Sequence, residues 1–566
     1  MLSIFGQNYP HSLKVKAILY ERYPVFNAWR FLAFLGVCAL PCYGTSAVQS
    51  LSLEEKVGQL LMAHFHGEVA NEDARALIQD TKIGGIIYYN WSNGLDSPKQ
   101  VQLLSAGLQK LVQKNQNPIP LFIAADQEGG VVARLSRGFT VFPGNKALGM
   151  TGEPHLAEAA AWAMGKELQA VGINMNLAPV VDVNTNPRNP VIGIRAYGDH
   201  PETVIAFGEK ALSGYKKAKI MTTLKHFPGH GDVEVDSHED LPMVHKALEI
   251  LEQGELLPFA RLASSAEAIM TAHILMPALD SENCVTLSNK ALTYLRNKIG
   301  FQGVIIADSL VMEGVLKRCD TIDEAAIQAL NAGCDILLLG GKQLIGGHSH
   351  LELTVGDVQR VHRSIVKAVD SGRISESRLN QALEKILKLK EHYLSSQTSD
   401  LQAIGMDALV NTAEHQMIAR QIARLALKTI KNDALCLTPL PEKKVCIFAP
   451  HVLRDAIHQT SLLSLGKSTD VWFFSTLSPS GEEVETAKQR AETADVLLVC
   501  SYNAWKNPSQ AMLIQSLLDT GKPLILLATR DPLDAYLFPR AHLVLNTFSP
   551  TPVSIQAASE FLGEKY

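Results

Sequence analysis

Basic charge is in deficit in this 566-residue chain, where 52 Lys and Arg face 57 Asp and Glu for a formal net charge of -5. That balance lacks the basic excess on which a nucleic-acid binder depends. Cysteine is scarce as well. Cys38, Cys42, Cys284, Cys319, Cys334, Cys436, Cys446 and Cys500 show neither framework spacing nor a paired C-x-x-C, which excludes a disulfide scaffold and a zinc ribbon. Cys334, Cys446 and Cys500 sit in apolar runs and read as small buried hydrophobes, with a disulfide reading open if the protein is exported. The apolar stretch from Phe31 to Pro41 is too short to span a bilayer comfortably. The C-terminal third has no G-x-G-x-x-G or P-loop at a strand-to-helix turn, so no nucleotide is assigned there. No short repeat or low-complexity tract appears.

What is present places the chain among soluble globular proteins, with 46% apolar and 19% charged residues. Its length calls for several domains, or one large barrel with an addition. At the N-terminus Lys14, Lys16, Arg22 and Arg30 precede the Phe31–Pro41 stretch, and Gly44-Thr45-Ser46-Ala47 follows it. A charged lead, a short apolar core and small residues at a cleavage point match an export signal. Residues 1–47 therefore read as a signal-like or anchor segment, and the protein as exported, periplasmic or membrane-anchored. A cytoplasmic location is the alternative if the segment is not a functional signal.

From about residue 50 to 395, short apolar runs alternate with helical patterns. The runs are Ile83–Tyr88, Leu121–Ala125, Ile173–Val183, Ile220–Leu224, Ala268–Ala272, Gly303–Ala307 and Asp335–Leu339. Strands apolar on both faces and separated by helices predict a parallel sheet covered by helices, and seven such units suit a closed TIM-type (β/α)8 barrel. Several runs end in a polar residue, namely Asp126, Lys225 with His226, His273 and Asp308. In such barrels the C-terminal strand ends carry the chemistry. The polar stretch Ser395–Asp400 then breaks the pattern, and a helical segment follows over roughly Thr412 to Lys431. Residues 396–434 read as a linker with a helix. Beyond it, runs at 445–448, 496–499, 524–527 and 543–545, with helical patterns around Glu483–Glu492 and Ala511–Leu518, predict a smaller α/β sandwich over 435–566.

The densest chemistry lies in Lys225-His226-Phe227-Pro228-Gly229-His230-Gly231-Asp232, followed by Asp236-Ser237-His238. Three histidines, a lysine and two aspartates fall within a loop shaped by Gly and Pro. In an extended segment residues i and i+2 point the same way, so Asp236 can orient the His238 imidazole and stabilise its protonated form. A histidine held in this way is a proton-transfer device. His230 and Asp232 are expected to shape the loop, and His273 to pack at the barrel mouth.

With these residues in view, the chain resembles glycoside hydrolase family 3, and specifically its bacterial β-N-acetylglucosaminidases, from about Leu51 to the C-terminus. The resemblance is carried by Asp126-Gln127-Glu128-Gly129-Gly130, by the 225–238 loop, by Met270-Thr271-Ala272-His273-Ile274 with Pro277-Ala278-Leu279-Asp280, and by Gly303–Asp308. It implies a retaining glycosidase in which Asp308 is the nucleophile. His238, oriented by Asp236, would be the acid/base group in place of the usual second carboxylate. It also implies sugar-binding roles for Asp126, Arg134, Arg195, Lys225 and His226, with no cofactor and no metal. The expected partner is a carbohydrate, an N-acetylglucosamine-containing muropeptide or oligosaccharide, with no nucleic acid and no obligatory protein. The chain departs from the family pattern at Val131, where arginine is usual, at Ala196 after Arg195, where serine is common, and at Ala307 before Asp308, where serine or threonine is frequent.

Other readings stay open at this stage. Within the family they are a β-glucosidase or β-xylosidase, from which the Asp-Ser-His stretch argues away, and a phosphorolytic enzyme, since a histidine repels phosphate less than a carboxylate does. Outside it, His226, His230, Asp232 and His238 offer ligand types for a metal-dependent barrel hydrolase, although Lys225 beside His226 opposes a cation there. A sugar-binding protein without turnover is the remaining alternative, against which the complete set of Asp308, Asp236 and His238 speaks.

Overall fold

The computed structural model describes residues 45–237, 240–342, 351–395, 406–433 and 437–566. Most of the signal-like segment, the start of the expected linker and His238 therefore lie outside the described residues. So do Cys38, Cys42 and Cys436.

Eight short parallel strands form the first sheet: β1 (Leu61–Ala63), β2 (Gly85–Ile87), β3 (Phe122–Ala125), β6 (Met175–Asn176), β7 (Met221–Phe227), β8 (Ala268–Thr271), β9 (Val304–Ile306) and β10 (Leu337–Leu338). Between β3 and β6 the chain adds a small antiparallel pair, β4 (Gln127–Gly129) and β5 (Val132–Ala133). The sheet runs in chain order from β1 to β9, with β10 pairing back on β1. A parallel bridge between Ile306 and Ile336 brings the ends together, so the sheet is a (β/α)8 barrel, as the alternation of runs predicts. Every residue of these eight strands is buried. The strands face barrel interior on one side and helices on the other, which is why most of their residues are apolar on both faces rather than alternating.

The sequence pattern misses β1. A helix over Leu53–Gln59, opened by a capping box between Ser52 and Glu55, ends at Leu60, and β1 begins at the next residue. With no turn residue between them, the strand's three apolar side chains read as the end of the helix. The run Ile173–Val183 is a strand only at Met175–Asn176. Pro179 has no N–H to give the ladder, and pairing resumes as a single bridge from Val180 to Lys225.

The second sheet has the order β11-β16-β15-β14-β12-β13. Its strands are β11 (Lys428–Asn432), β12 (Lys444–Pro450), β13 (Ser468–Phe474), β14 (Val496–Ser501), β15 (Leu524–Ala528) and β16 (Leu543–Asn546). Pairing is parallel except for β11 against β16. Alternate side chains feed two cores. Cys446 and Phe448 pack with the helices Gly481–Glu492 and Pro508–Leu518, while Val445 and Ile447 pack with Pro552–Lys565. The result is the expected α/β sandwich, with two edge strands added. β11 corrects the helix expected to Lys431. That helix covers Ala413–Ala426, Leu427 turns to φ -57 and ψ 125, and Lys428, Thr429, Lys431 and Asn432 then pair with β16. Their pattern is only partly buried, so periodicity gave no strand signal, and pairing with a neighbour decided the conformation. Among the described residues no helix is long and apolar enough to cross a membrane.

Candidate active site

The C-terminal ends of the barrel strands surround a cleft of about 360 Å³, lined among others by Tyr89, Asp126, Arg195, Lys225, His226 and Asp308. Each comes from the end of a different strand or the loop beyond it, except Lys225 and His226, which are consecutive. A regular strand would send consecutive side chains to opposite faces. Here the register of β7 against β8 shifts between Leu224 and Phe227 and the Lys225–His226 peptide bond is cis, and both side chains line the cleft.

A chain of ion pairs crosses the cleft floor. Lys225 Nζ lies 2.8 Å from Asp126 Oδ1 and 2.7 Å from Glu128 Oε1. Arg134 NH2 lies 3.1 Å from Asp126 Oδ2. Arg195 grips Glu128 with two bonds, Nε to Oε2 at 3.0 Å and NH2 to Oε1 at 2.8 Å. The same NH2 is 3.3 Å from His226 Nε2, whose Nδ1 is 2.7 Å from Asp182 Oδ2. Lys225 is 2% exposed and Asp182 0%, so these charges are tolerable only as pairs.

Burial alone would raise the carboxyl pKa of Asp126, but Lys225 and Arg134 outweigh it and hold the group well below the ordinary carboxylate range. Glu128 is held low against its burial by Arg195 and Lys225. Burial would lower the Lys225 pKa, and Asp126 and Glu128 reverse that and raise it. The network is thus fixed in its charged form. Its hydrogen-bonding groups are rigid, pre-oriented and available to a neutral polyhydroxylated ligand, where they need no reorganisation on binding. Tyr89 has its phenol pKa pushed far up, first by burial and then by Asp126, with a further rise from Asp308, so it faces both carboxylates as a neutral hydroxyl.

Asp308 stands two residues beyond β9. Its Oδ1 accepts the Ser309 N–H at 2.7 Å, and its own N–H points to Thr271 Oγ1 at 3.4 Å. His273 supports this turn from below, with Nδ1 2.8 Å from Thr286 Oγ1 and Nε2 2.9 Å from the Ser309 carbonyl. Asp236 is partly buried and its carbonyl accepts the Asp240 N–H at 3.0 Å. Its intended partner His238 lies outside the described residues, although the neighbouring Ser237 lines the cleft.

The structure brings Asp126, Arg134, Arg195, Lys225, His226 and Asp308 to one cleft. His230 also lines this cleft, its ring 5.9 Å from that of His226, whereas Asp232 does not. His230 Nε2 is 2.9 Å from Ser237 Oγ, and Asp232 bonds Thr185 Oγ1 at 2.8 Å and Lys246 at 3.0 Å. With His226 turned to Asp182, the described members of the supposed zinc quartet do not converge. Sequence reasoning left Glu128, Asp182, Tyr89 and Trp91 unassigned. Asp182 had a signal: a carboxylate inside the apolar stretch Ala178–Val183 must have a partner, and it has the His226 ring and the N–H groups of His226 and His230. Glu128 gave no such signal, because its partners Arg195 and Lys225 lie far away in sequence.

Comparison with known proteins fits this geometry. The Glycosyl hydrolase family 3 N terminal domain matches residues 52–389. The chain is 34% identical over 431 residues to the beta-hexosaminidase A of Pseudoalteromonas piscicida, covering 69% of each. It is 33% identical over 305 residues to a beta-hexosaminidase of Pseudomonas aeruginosa, covering 53% of this chain and 86% of that one. Among solved structures, a glycoside hydrolase family 3 beta-N-acetylglucosaminidase from Paenibacillus sp. str. FPU-7 superposes with a TM-score of 0.81 at 34% identity, over 91% of this chain and 97% of that one.

Proposed function

The chain belongs to glycosyl hydrolase family 3, and from that membership we propose that it removes terminal, non-reducing β-linked N-acetylglucosamine from peptidoglycan fragments or chitooligosaccharides, with retention at the anomeric carbon. Relatives named beta-hexosaminidase and a neighbour named beta-N-acetylglucosaminidase support the sugar. The observation that carries the reading is the meeting, in one cleft, of Asp308 with the paired charges of Asp126, Lys225, Arg195 and His226.

In the first step an Asp308 carboxylate oxygen bonds to C1 as the glycosidic C1–O bond breaks, and the leaving oxygen takes a proton from the His238 imidazolium. In the second step water attacks C1, giving its proton to His238, and the bond to Asp308 breaks to release the sugar and restore both groups. Asp236 orients His238 and stabilises its cationic form. An imidazole suits the acid/base role because its ordinary pKa lies near neutrality. The paired side chains of Asp126, Arg134, Lys225, Arg195 and His226 fix the sugar hydroxyls, and their bonds strengthen as the ring flattens toward the oxocarbenium-like transition state. The charged lead and short apolar stretch within residues 1–47 support export of the enzyme.

Hydrolysis of aryl β-N-acetylglucosaminides with leaving groups of graded acidity tests the assignment. Asp308→Ala should abolish turnover. His238→Ala should lose most of its rate with poor leaving groups and far less with acidic ones, because an acidic aglycone departs without a proton. Equal rates across leaving groups for wild type and both variants, or an inverted first-formed anomer, would sink it.

A further inference from the structure

The barrel mouth carries a second cluster of ligating side chains that the ion-pair network does not use. Strand β1 ends at Ala63, and the imidazoles of His64 and His66 both reach a single carboxylate oxygen. His64 Nε2 is 2.9 Å and His66 Nε2 2.5 Å from Glu352 Oε1. Glu352 bridges to Lys342, a few residues beyond β10, the barrel neighbour of β1. Barrel closure therefore brings together residues 286 to 288 positions apart in the chain. The nitrogen and oxygen ligand atoms of the three residues all lie within 4.8 Å of one another.

We propose that His64, His66 and Glu352 form a binding site for a divalent cation of the zinc class, at the rim of the cleft and separate from the proposed catalytic groups. Two imidazole nitrogens and one carboxylate oxygen are a common three-residue ligand set for such ions, with a further position left to solvent. The surroundings suit a cation. His64 is 3% exposed, so its ring is held in place within the wall of the barrel mouth. The His66 side chain is 59% exposed and leaves a solvent route to the ion. Ligation through His64 Nε2 puts that ring's proton on Nδ1, and it gives up the 3.4 Å contact with the Gly341 amide and the 2.9 Å hydrogen bond to Glu352, which the shared ion replaces. Lys342 is the nearby opposing charge, 4.0 Å from Glu352 Oε2 and partly exposed.

The site would also act on the cleft wall. The His64 ring stands edge-on to Trp91 at 4.8 Å and to Tyr89 at 5.7 Å, and Tyr89 and Trp91 are stacked at 5.0 Å. Both aromatic side chains line the cleft. An ion holding the two imidazoles fixes the backing of that wall without touching the reacting carbon. The inference does not depend on the glycosidase reading.

The test is calorimetric titration of chelator-stripped full-length protein with ZnCl2, alongside visible spectra with CoCl2 and metal-free and zinc-loaded melting curves, for wild type, His66→Ala and Glu352→Gln. Wild type should bind one equivalent, show cobalt d–d absorption and melt higher with zinc. Each substitution should weaken binding by about a hundredfold or more and remove the melting shift. His66→Ala removes an exposed ring, so its metal-free melt should match wild type, and it decides the matter even if Glu352→Gln is unstable. Absence of stoichiometric binding in wild type overturns the proposal, as does binding unchanged by His66→Ala, which would place the ion elsewhere.

Discussion

His230 Nε2 lies 2.9 Å from Ser237 Oγ, both residues 2% exposed, so a buried histidine seven positions upstream holds the residue next to the proposed acid/base group. Asp182 in turn holds His230 by accepting its N–H at 2.7 Å, and it accepts the N–H of His226 at 3.1 Å. One buried carboxylate therefore ties the His226 end of the loop to the His230 and Ser237 end, next to the proposed acid/base group. The carbonyl of Ser237 also accepts the Gly314 N–H at 3.1 Å, so Ser237 is anchored through side chain and backbone alike.

Loosening this anchor should act as a positioning defect. Ser237→Ala is expected to lower kcat/KM by roughly 10–100-fold with poor leaving groups, and less with acidic ones, because misplacing a catalytic group by about an ångström costs on the order of a hundredfold. A leaving-group series measures it; a uniform loss across the series would point to a general folding defect instead.

His230 also sets a pH dependence of stability. Burial and the neighbouring His226 lower its pKa from 6.5 to about 4. Between those values the unfolded chain binds the extra proton and the folded one does not, so stability rises with pH across the window and falls on acidification. His230→Gln should flatten the melting temperature between pH 6.5 and 4 relative to wild type. An equally steep profile in the variant would assign the acid sensitivity to other groups.

Lys225→Met leaves Asp126 and Glu128 short of a shared cation. Breaking a buried pair by deleting one partner costs about 3–5 kcal/mol, and the variant should melt well below wild type and lose sugar binding. The sign with pH follows from the carboxylates, whose folded pKa values lie below their ordinary ones. In wild type the network's contribution is complete above roughly pH 4 and is lost only as pH falls below that. In the variant the gap to wild type should therefore narrow in acid, which denaturant titration at several pH values reads directly.

Lys390 is 1% exposed, and among the described residues no carboxylate forms an ion pair with it. Its Nζ donates to Gln59 Oε1 and to the Gly84 carbonyl, both at 2.8 Å, and lies 4.8 Å from the Phe122 ring centre. Burial lowers its pKa well below the ordinary value, so the unfolded chain binds the extra proton over the range up to about pH 10.4. Wild-type stability should rise with pH through that range. The melting temperature of Lys390→Met relative to wild type should be highest at low pH and decline toward pH 10. A difference independent of pH would contradict the buried-amine account.

How much was legible beforehand depended on sequence separation. The barrel could be read because each buried parallel strand is its own apolar run, and the polar residues closing those runs pointed to the mouth. β1 and β11 could not be read, one because a helix leads into it without a turn, the other because its half-exposed residues become a strand only beside β16. The same division runs through the site. Lys225, His226 and Asp308 stand in recognisable local patterns, whereas Glu128 and Asp182 gain their meaning from partners 44 to 97 residues away.

The amino-acid order by itself determined that this chain is a (β/α) barrel followed by an α/β sandwich, and which polar residues would crowd one barrel rim, because burial periodicity and strand-end polarity are local properties. Only the tertiary structure decided which charge neutralises which: Lys225 between Asp126 and Glu128, Arg195 on Glu128, His226 on Asp182, and His64 and His66 on Glu352. Those pairings depend on distances set by closure of the barrel, and the electrostatic energy that selects among them falls off with separation in space, of which separation along the chain carries no record.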